Sequence, residues 1–158
     1  MILAIDPGTT KSAWVLFDPD TSIVVGSGID PNERVVKAFR NYLQDGYQIV
    51  IEMVACYGMA VGKEVFETCV WIGRFMEAFG GADLLYRQEV KLHLCHSARA
   101  KDANIRQALL DMFPATGGGS IPQIGTKKQP GPLYGVKADI WSALAVAITY
   151  NAKQRGAT

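Results

Sequence analysis

Three acidic side chains occur where the chain would carry them into one site. Asp6 ends the apolar run 2–5 and is followed by Pro-Gly, which stops a strand directly after the acid. Glu52 follows the apolar run 49–51, and Asp139 stands at the start of a late helical pattern. A carboxylate at the end of a buried strand is costly unless something positive meets it, and a divalent metal is the strongest such partner. The three acids are therefore candidate metal ligands.

Each acid also has a purely structural interpretation. Asp6 precedes Pro-Gly, where Asp often organises the turn. Glu52 is also explained as a strand-end acid paired with Lys or Arg. The helix dipole favours an acid in a first helical turn, which would account for Asp139. The residues alone leave these alternatives open.

The acids can meet only if the chain places their strands side by side. Apolar runs predict strands, and helical spacing predicts helices between them. The strands are expected at about 2–6, 14–17, 23–29, 48–54 and 82–87, and the helices at about 31–45, 61–79, 88–95, 97–113 and 137–150. This alternation implies a sheet with parallel strands, whose adjacent ends gather side chains into a common site. We therefore expect Asp6 and Glu52 to be neighbours.

Length and composition indicate one globular domain. The chain has 158 residues, of which 49% are hydrophobic and 20% charged. It has no apolar run of membrane-span length, and its first residues lead directly into a core strand without an export signal, so we expect a cytoplasmic protein with no membrane partner. Three cysteines lack CxxC spacing. His93, Cys95 and His96 are close in sequence, but no second ligand pair stands at a zinc-finger distance.

The net charge of +1 hides an asymmetry between the two halves of the chain. Residues 1–86 carry six basic and eleven acidic side chains, whereas residues 87–158 carry ten basic and four acidic ones. A basic second half is compatible with a polyanionic partner. Basic residues are also often just a solvated surface.

Two segments of the basic half are candidates for contact with nucleic acid. The predicted helix 97–113 has Arg99 and Lys101 at its leading edge, where backbone amides and basic side chains suit a phosphate. Residues 114–136 form a loop too long for a simple connection, which we expect to be mobile, and Lys127 and Lys128 lie in it. An exposed helix end and an unstructured loop are the alternatives.

The predicted helix 61–79 has apolar residues over half of its circumference or more. One packing stripe against the sheet needs less than this. A helix that packs on the sheet and on a second copy of the protein would explain the width, and so would a helix wedged between two core elements. We favour the first interpretation and predict a homodimer.

Taken together, three motifs resemble the RuvC Holliday-junction resolvases, which have the RNase H-like fold. They are a strand ending in I-D-P-G, a strand ending in I-E, and a late helix with K-x-D before A-L-A-V-A-I-T. The resemblance covers nearly the whole chain, and the segments 58–74 and 90–109 look most like the shorter resolvases of bacteriophages. D-P-G-T-T alone also suits sugar kinases or actin-like ATPases, but those need a second lobe that 158 residues cannot house.

The resemblance implies an α/β, RNase H-like fold with a mixed five-stranded sheet flanked by helices, in a single domain over residues 1–158. It implies a metal-dependent endonuclease that resolves four-way or branched DNA junctions as a two-fold symmetric dimer in a bacterial cytoplasm, including that of a phage-infected host. Asp6 would be shared by two Mg²⁺ ions, with Glu52 and Asp139 as further ligands and Mn²⁺ as a substitute. Lys137 or Lys101 would add positive charge beside the phosphate.

The chain departs from the family pattern at Ser142. Many relatives have a further Asp there, so one metal position would be held by a hydroxyl, and Glu64, Glu67 or Asp102 would be the candidate substitutes. Tyr57 and Gly58 follow Glu52 in the segment where relatives approach the junction centre, with Tyr57 as a base-stacking wedge. Two other functions remain as alternatives: a junction-binding protein with weak or no cleavage, and a related nuclease acting on RNA:DNA hybrids or flaps.

Overall fold

The computed structural model describes residues 1–56 and 58–156. The strands are β1 (Ile2–Asp6), β2 (Lys11–Asp18), β3 (Ile23–Pro31), β4 (Gln48–Met53) and β5 (Asp83–Tyr86). The helices are α1 (Asn32–Phe39), α2 (Lys63–Phe79), α3 (Arg87–Cys95), α4 (Asp102–Met112) and α5 (Ile140–Gln154). None of the helices in these two ranges is long and apolar enough to cross a membrane.

One sheet holds all five strands in the order β3-β2-β1-β4-β5. β1 pairs antiparallel with β2, and β2 antiparallel with β3, while β1–β4 and β4–β5 are parallel. The sheet is therefore mixed, which confirms the predicted α/β fold. The parallel pair β1–β4 places Ile5 opposite Ile51, so the acids that follow them leave the sheet at the same edge.

The two faces of the sheet carry separate hydrophobic clusters. Ala4 and Val50 pack in the cluster that contains α5, whereas Ile5 packs in the cluster that contains α1 and α2. Successive side chains of a strand alternate between the faces. Asp6 and Glu52 therefore share the face of Ala4 and Val50, which α5 covers.

Small residues let α5 lie close to the sheet. Ala143, Ala145 and Ala147 are fully buried in α5, which packs on β1 and β2. The helix begins at Ile140, about three residues later than predicted, because Ala138 adopts a left-handed conformation with φ of 44° that helical residues cannot share. Asp139 is consequently the residue at the helix N-cap.

Two other helix boundaries clarify the packing. α1 ends at Phe39, earlier than predicted, because the chain tightens there into turns in which Tyr42 N–H donates to the Phe39 carbonyl. α2 extends to Phe79 as predicted. Its C-cap is Gly80, whose φ of 78° suits glycine. Ile72 and Phe75 on its inner face are buried against the sheet.

The loop between α4 and α5 is held by its own backbone hydrogen bonds. Gly118 N–H donates to the Gln129 carbonyl at 2.9 Å, and Gly131 N–H to the Ile124 carbonyl at 3.0 Å. Gly125, at φ of 76°, approaches Gly131 so closely that a Cβ would lie 2.2 Å from the Gly131 nitrogen. The predicted mobility of this loop stays a prediction.

Candidate metal and nucleic-acid site

Asp6 and Glu52 line one cleft at the carboxyl ends of β1 and β4. The cleft has a volume of about 390 Å³, and Arg87 from α3 and Ser142 from α5 also line it. After burial, the negative charge of Glu52 is the next largest cause of the raised pKa of Asp6, consistent with their place in the same cleft. The predicted meeting of the two acids is therefore observed.

Burial and neighbouring charges perturb Asp6 strongly. Desolvation, then the charge of Glu52 and, more weakly, that of Asp139 raise the pKa of Asp6 to about 7, although Arg87 and contact with the Ser142 hydroxyl act in the opposite direction. The carboxylate has more negative than positive charge around it. A cation bound here would relieve this imbalance.

A hydrogen-bonded triangle fixes the turn that follows Asp6. The backbone N–H of Gly8 donates to Ser12 Oγ, Ser12 donates to Asn32 Oδ1 at 2.7 Å, and Asn32 Nδ2 donates to the Gly8 carbonyl at 2.9 Å. Ser12 and Asn32 are buried, so these bonds are shielded from water. A Cβ at Gly8 would lie 2.3 Å from the Lys11 carbonyl oxygen, so only glycine fits.

Glu52 forms an ion pair as well as adjoining Asp6. Its side chain lies 3.5 Å from Arg87, whose second terminal nitrogen donates to Asp102 at 2.6 Å. Glu52 is only 7% exposed, and this burial raises its pKa while Arg87 lowers it. Glu52 therefore has both predicted environments: it pairs with a basic residue, Arg87, and it lines the same cleft as Asp6.

The start of α5 closes the opposite side of the site. Ser142 lines the cleft of Asp6, whereas Asp139 lines an adjoining cleft of about 210 Å³ with Asp102, Arg106 and other residues. Asp139 is exposed and makes no side-chain capping bond to its helix. Its carboxylate is therefore not committed to the N-cap role that was its structural alternative.

The donors in this site fit a divalent cation by chemistry and charge. Carboxylates from Asp6, Glu52 and Asp139 and the hydroxyl of Ser142 are oxygen ligands of the kind that Mg²⁺ and Mn²⁺ take. Within residues 1–56 and 58–156, however, no three His, Cys, Asp or Glu side chains are close enough to hold a metal ion together. The Arg87 guanidinium stands beside Glu52 in this arrangement.

Arg87 is the site residue that the sequence reasoning did not identify. It was counted only among the basic residues of the second half, because an Arg at the start of a short helix has no distinguishing motif. The signal that could have found it is its position directly after β5, the strand that pairs with β4 in parallel. Asp102, named as a substitute ligand, binds Arg87, while Glu64 and Glu67 lie on α2 and do not line the cleft.

The basic residues predicted to contact nucleic acid are all on the surface. Arg99, Lys101, Lys127, Lys128 and Lys137 are exposed, and in the described part of the chain none of them takes part in an ion pair. Their charges are therefore available to solvent or to a polyanion.

The segment after Glu52 carries the two remaining candidates for DNA contact. Gly58 is exposed with φ of 84°, a conformation that favours glycine. Tyr57 lies outside the described residues.

Comparison with known proteins gives a structural match and no sequence match. No family model and no curated protein matches the sequence. Two solved structures of Thermus thermophilus RuvC, one of them in complex with a Holliday junction substrate, match at a TM-score of 0.56 and 15% identity, over 99% of this chain and 96% of that chain. At this identity the similarity shows the fold, which is the RNase H-like fold of RuvC.

Proposed function

We propose that this protein is a structure-selective endonuclease that resolves four-way or branched DNA junctions by paired, Mg²⁺-dependent phosphodiester hydrolysis in a symmetric dimer. The observation that carries the proposal is the cleft where Asp6 and Glu52 meet under α5, with the pKa of Asp6 raised to about 7. An acidic cleft of this kind, on a fold that in RuvC has been solved with a Holliday junction, fits metal-dependent cleavage of branched DNA.

Side chains of this protein would supply the metal ligands. Asp6, Glu52 and Asp139 would hold the metal ions of a two-metal site, with Ser142 as a weak or water-bridged ligand. When bound, the metal ions supply an acidified water and neutralise charge on the phosphate, and Mn²⁺ can substitute for Mg²⁺. The three carboxylates are the catalytic residues of this proposal.

The reaction is a hydrolysis that needs no covalent enzyme intermediate. The water oxygen forms a bond to phosphorus as the bond from phosphorus to the 3′ oxygen breaks, and the leaving oxygen takes up a proton. Lys137 and Lys101 are exposed, and they precede Asp139 and Asp102 in the sequence. They add positive charge beside the phosphate.

Other basic residues would hold the arms of the junction. Arg99, Lys127 and Lys128 are exposed and positively charged, which suits contact with the DNA backbone without sequence readout. Gly58 and Tyr57 belong to the segment that we assign to the junction centre, with Tyr57 stacking on a base. On the resemblance to the RuvC resolvases, we also assign the protein to a bacterial cytoplasm, including that of a phage-infected cell.

The outer face of α2 supports the proposed dimer. Phe66 is 62% exposed and Val70 is 59% exposed, one helical turn apart on this face. Apolar side chains in such an arrangement are typical of a surface that packs against a partner. A two-fold axis through α2 would direct two active sites at two strands of one junction.

Two observations favour a binding protein with weak or no cleavage. Arg87 contacts Glu52, and Ser142 supplies a hydroxyl where another carboxylate would strengthen metal binding. Both features lower the negative charge available to a second cation. The same experiment separates this alternative and the hybrid or flap nuclease from the resolvase.

The test is a panel of four labelled substrates: a four-way junction, a linear duplex, a flap and an RNA:DNA hybrid. Each is incubated with the wild type and with Asp139→Asn in Mg²⁺ or Mn²⁺. We expect nicks in the junction alone, in opposing strands, and their loss in the variant. Lys11→Gln, an exposed change of charge on β2, is the matched control and should cleave like the wild type.

The other outcomes distinguish the alternatives. Tight binding of the junction without product in either metal identifies the binding protein. Preferred cleavage of the flap or the hybrid identifies the related nuclease, and cleavage by Asp139→Asn at the wild-type rate removes that carboxylate from the proposed site.

A further inference from the structure

Arg87 makes two unequal contacts with acids at the edge of the metal cleft. One terminal nitrogen is 2.6 Å from Asp102, within strong hydrogen-bond distance, and the other is 3.5 Å from Glu52, at the limit of a contact. The Asp102 side chain is 86% exposed and that of Glu52 only 10% exposed. The guanidinium thus lies within strong hydrogen-bond distance of Asp102, at the exposed rim of the cleft, and farther from the buried Glu52.

Arg87 lines three neighbouring cavities. It lines the cleft of Asp6 and Glu52, the adjoining cleft of Asp139 and Asp102, and a third cavity of about 300 Å³ that contains Lys91. Tyr86 N–H donates to Glu89 Oε2 at 2.8 Å, and this bond fixes the start of α3 from which the side chain of Arg87 extends. Few other positions in the site face both clefts; Ser142 does so from α5.

A cation bound between Asp6 and Glu52 cannot leave this arrangement unchanged. Glu52 is buried, and a divalent ion on its carboxylate would stand beside a guanidinium of the same sign. The bound cation would repel the guanidinium from Glu52, which is the longer of the two contacts of Arg87. Asp102 would then keep the guanidinium at the rim between the two clefts.

We propose that Arg87 is the exchangeable counter-ion of Glu52: a divalent cation displaces it, and Asp102 retains it at the rim, where it binds the phosphate of the DNA. The inference rests on the proposed function for the identity of the phosphate. A planar guanidinium suits both roles, because its fork pairs with a carboxylate or a phosphate through two parallel bonds. Arg87 is therefore a positioning residue in the metal-free protein and a substrate contact in the loaded one.

The test measures the binding of Mn²⁺ to the DNA-free chain by calorimetry. Arg87→Gln removes the competitor, and we expect Mn²⁺ to bind roughly five- to tenfold tighter than to the wild type. Lys91→Gln is the matched control, because it removes a positive charge that acts on Glu52 without touching it. We expect this control to tighten Mn²⁺ binding by no more than about twofold.

A second variant tests the retention of Arg87 at the rim. Asp102→Asn changes an exposed side chain, so the fold should persist, and it leaves Arg87 free to stay beside Glu52. We expect it to bind Mn²⁺ more weakly than the wild type does, because a displaced guanidinium then has no carboxylate to hold it. Its affinity for a four-way junction in Ca²⁺ should fall by about tenfold, as in Arg87→Gln.

The outcomes separate this inference from the proposed function. Equal or weaker Mn²⁺ binding by Arg87→Gln overturns the role of Arg87 and leaves the metal site intact. No Mn²⁺ binding by either protein overturns both. Tighter binding by Arg87→Gln, in a protein that cleaves no junction, supports the exchange of Arg87 and counts against the endonuclease. Unchanged junction affinity in Asp102→Asn overturns retention at the rim.

Discussion

The Ser12 hydroxyl donates a 2.7 Å hydrogen bond to Oδ1 of Asn32, which lies 20 residues further along the chain. This bond links β2 to the start of α1, and Asn32 in turn donates to the Gly8 carbonyl in the turn after Asp6. The carboxylate of Asp6 is therefore positioned by two buried polar residues that do not themselves reach the cleft.

Asn32→Ala removes this support. The change leaves the Ser12 hydroxyl and the Gly8 carbonyl without their partner, which we expect to lower the free energy of unfolding by about 1–3 kcal/mol. Urea denaturation measures the difference. Asn41→Ala, at an exposed position, should change the free energy of unfolding by less than about 0.5 kcal/mol. Equal stability of the two variants would show that the triangle does not support the turn.

The raised pKa of Asp6 predicts that its carboxylate destabilises the metal-free protein at neutral and higher pH. The folded chain binds this proton more tightly than the unfolded chain, so the wild type gains stability as the pH falls through about 7 towards 4. Asp6→Asn should raise the free energy of unfolding at pH 8 by about 1–3 kcal/mol, and the difference should vanish below the unfolded pKa.

Thermal denaturation in EDTA across this pH range tests the prediction. Asp45→Asn, at an exposed position, is the control for the loss of one negative charge. If Asp6→Asn is no more stable than the wild type at pH 8, desolvation does not dominate at this carboxylate.

Ser142 predicts the effect of adding a fourth acid to the site. Ser142→Asp places another carboxylate beside Asp6, so the metal-free protein should melt at a lower temperature while Mn²⁺ binds about tenfold tighter. Ser142→Ala removes the hydroxyl without adding charge and should change the Mn²⁺ affinity by less than about threefold. Calorimetry with both variants measures this. Unchanged Mn²⁺ affinity in Ser142→Asp would mean that position 142 does not face the bound cation.

The exposed face of α2 predicts the oligomeric state. Phe66→Glu places a charge in the proposed interface, and we expect a dimer at micromolar concentration to become a monomer without loss of helicity. Val25→Glu is the matched control, because Val25 is 59% exposed, close to the 62% of Phe66, but lies on the edge strand β3. Sedimentation equilibrium separates the two results. A wild-type monomer would rule out the dimer. Dimers in both variants would place the interface away from Phe66.

Local patterns in the sequence were sufficient to predict the strands, a sheet with parallel strands and the meeting of Asp6 with Glu52, whereas the mixed five-stranded sheet was predicted from the resemblance. Each acid ends a continuous apolar run, and parallel strands align their ends, so the pairing follows from order along the chain. The start of α5 was harder to predict, because it depends on the left-handed backbone of Ala138. Alanine rarely adopts this conformation, so the residue type does not indicate it.

The position of Arg87 after β5 points to the site, but its two contacts were not predictable from the sequence, for a different reason. Its two partners, Glu52 and Asp102, come from β4 and α4, and the contact exists only once β5 lies beside β4. The triangle of Ser12, Asn32 and Gly8 is likewise a tertiary arrangement of ordinary turn and strand residues. Such features require the fold before they can be recognised.

The most direct test of the central claim is single-turnover cleavage of a labelled four-way junction by the wild type and by Asp6→Asn in Mg²⁺. We predict that the wild type nicks two opposing strands at symmetric positions and that Asp6→Asn, although folded and still able to bind the junction, cleaves at least about 100-fold more slowly. Cleavage by Asp6→Asn at the wild-type rate would contradict the account, because the reaction would then not depend on the carboxylate around which the site is built.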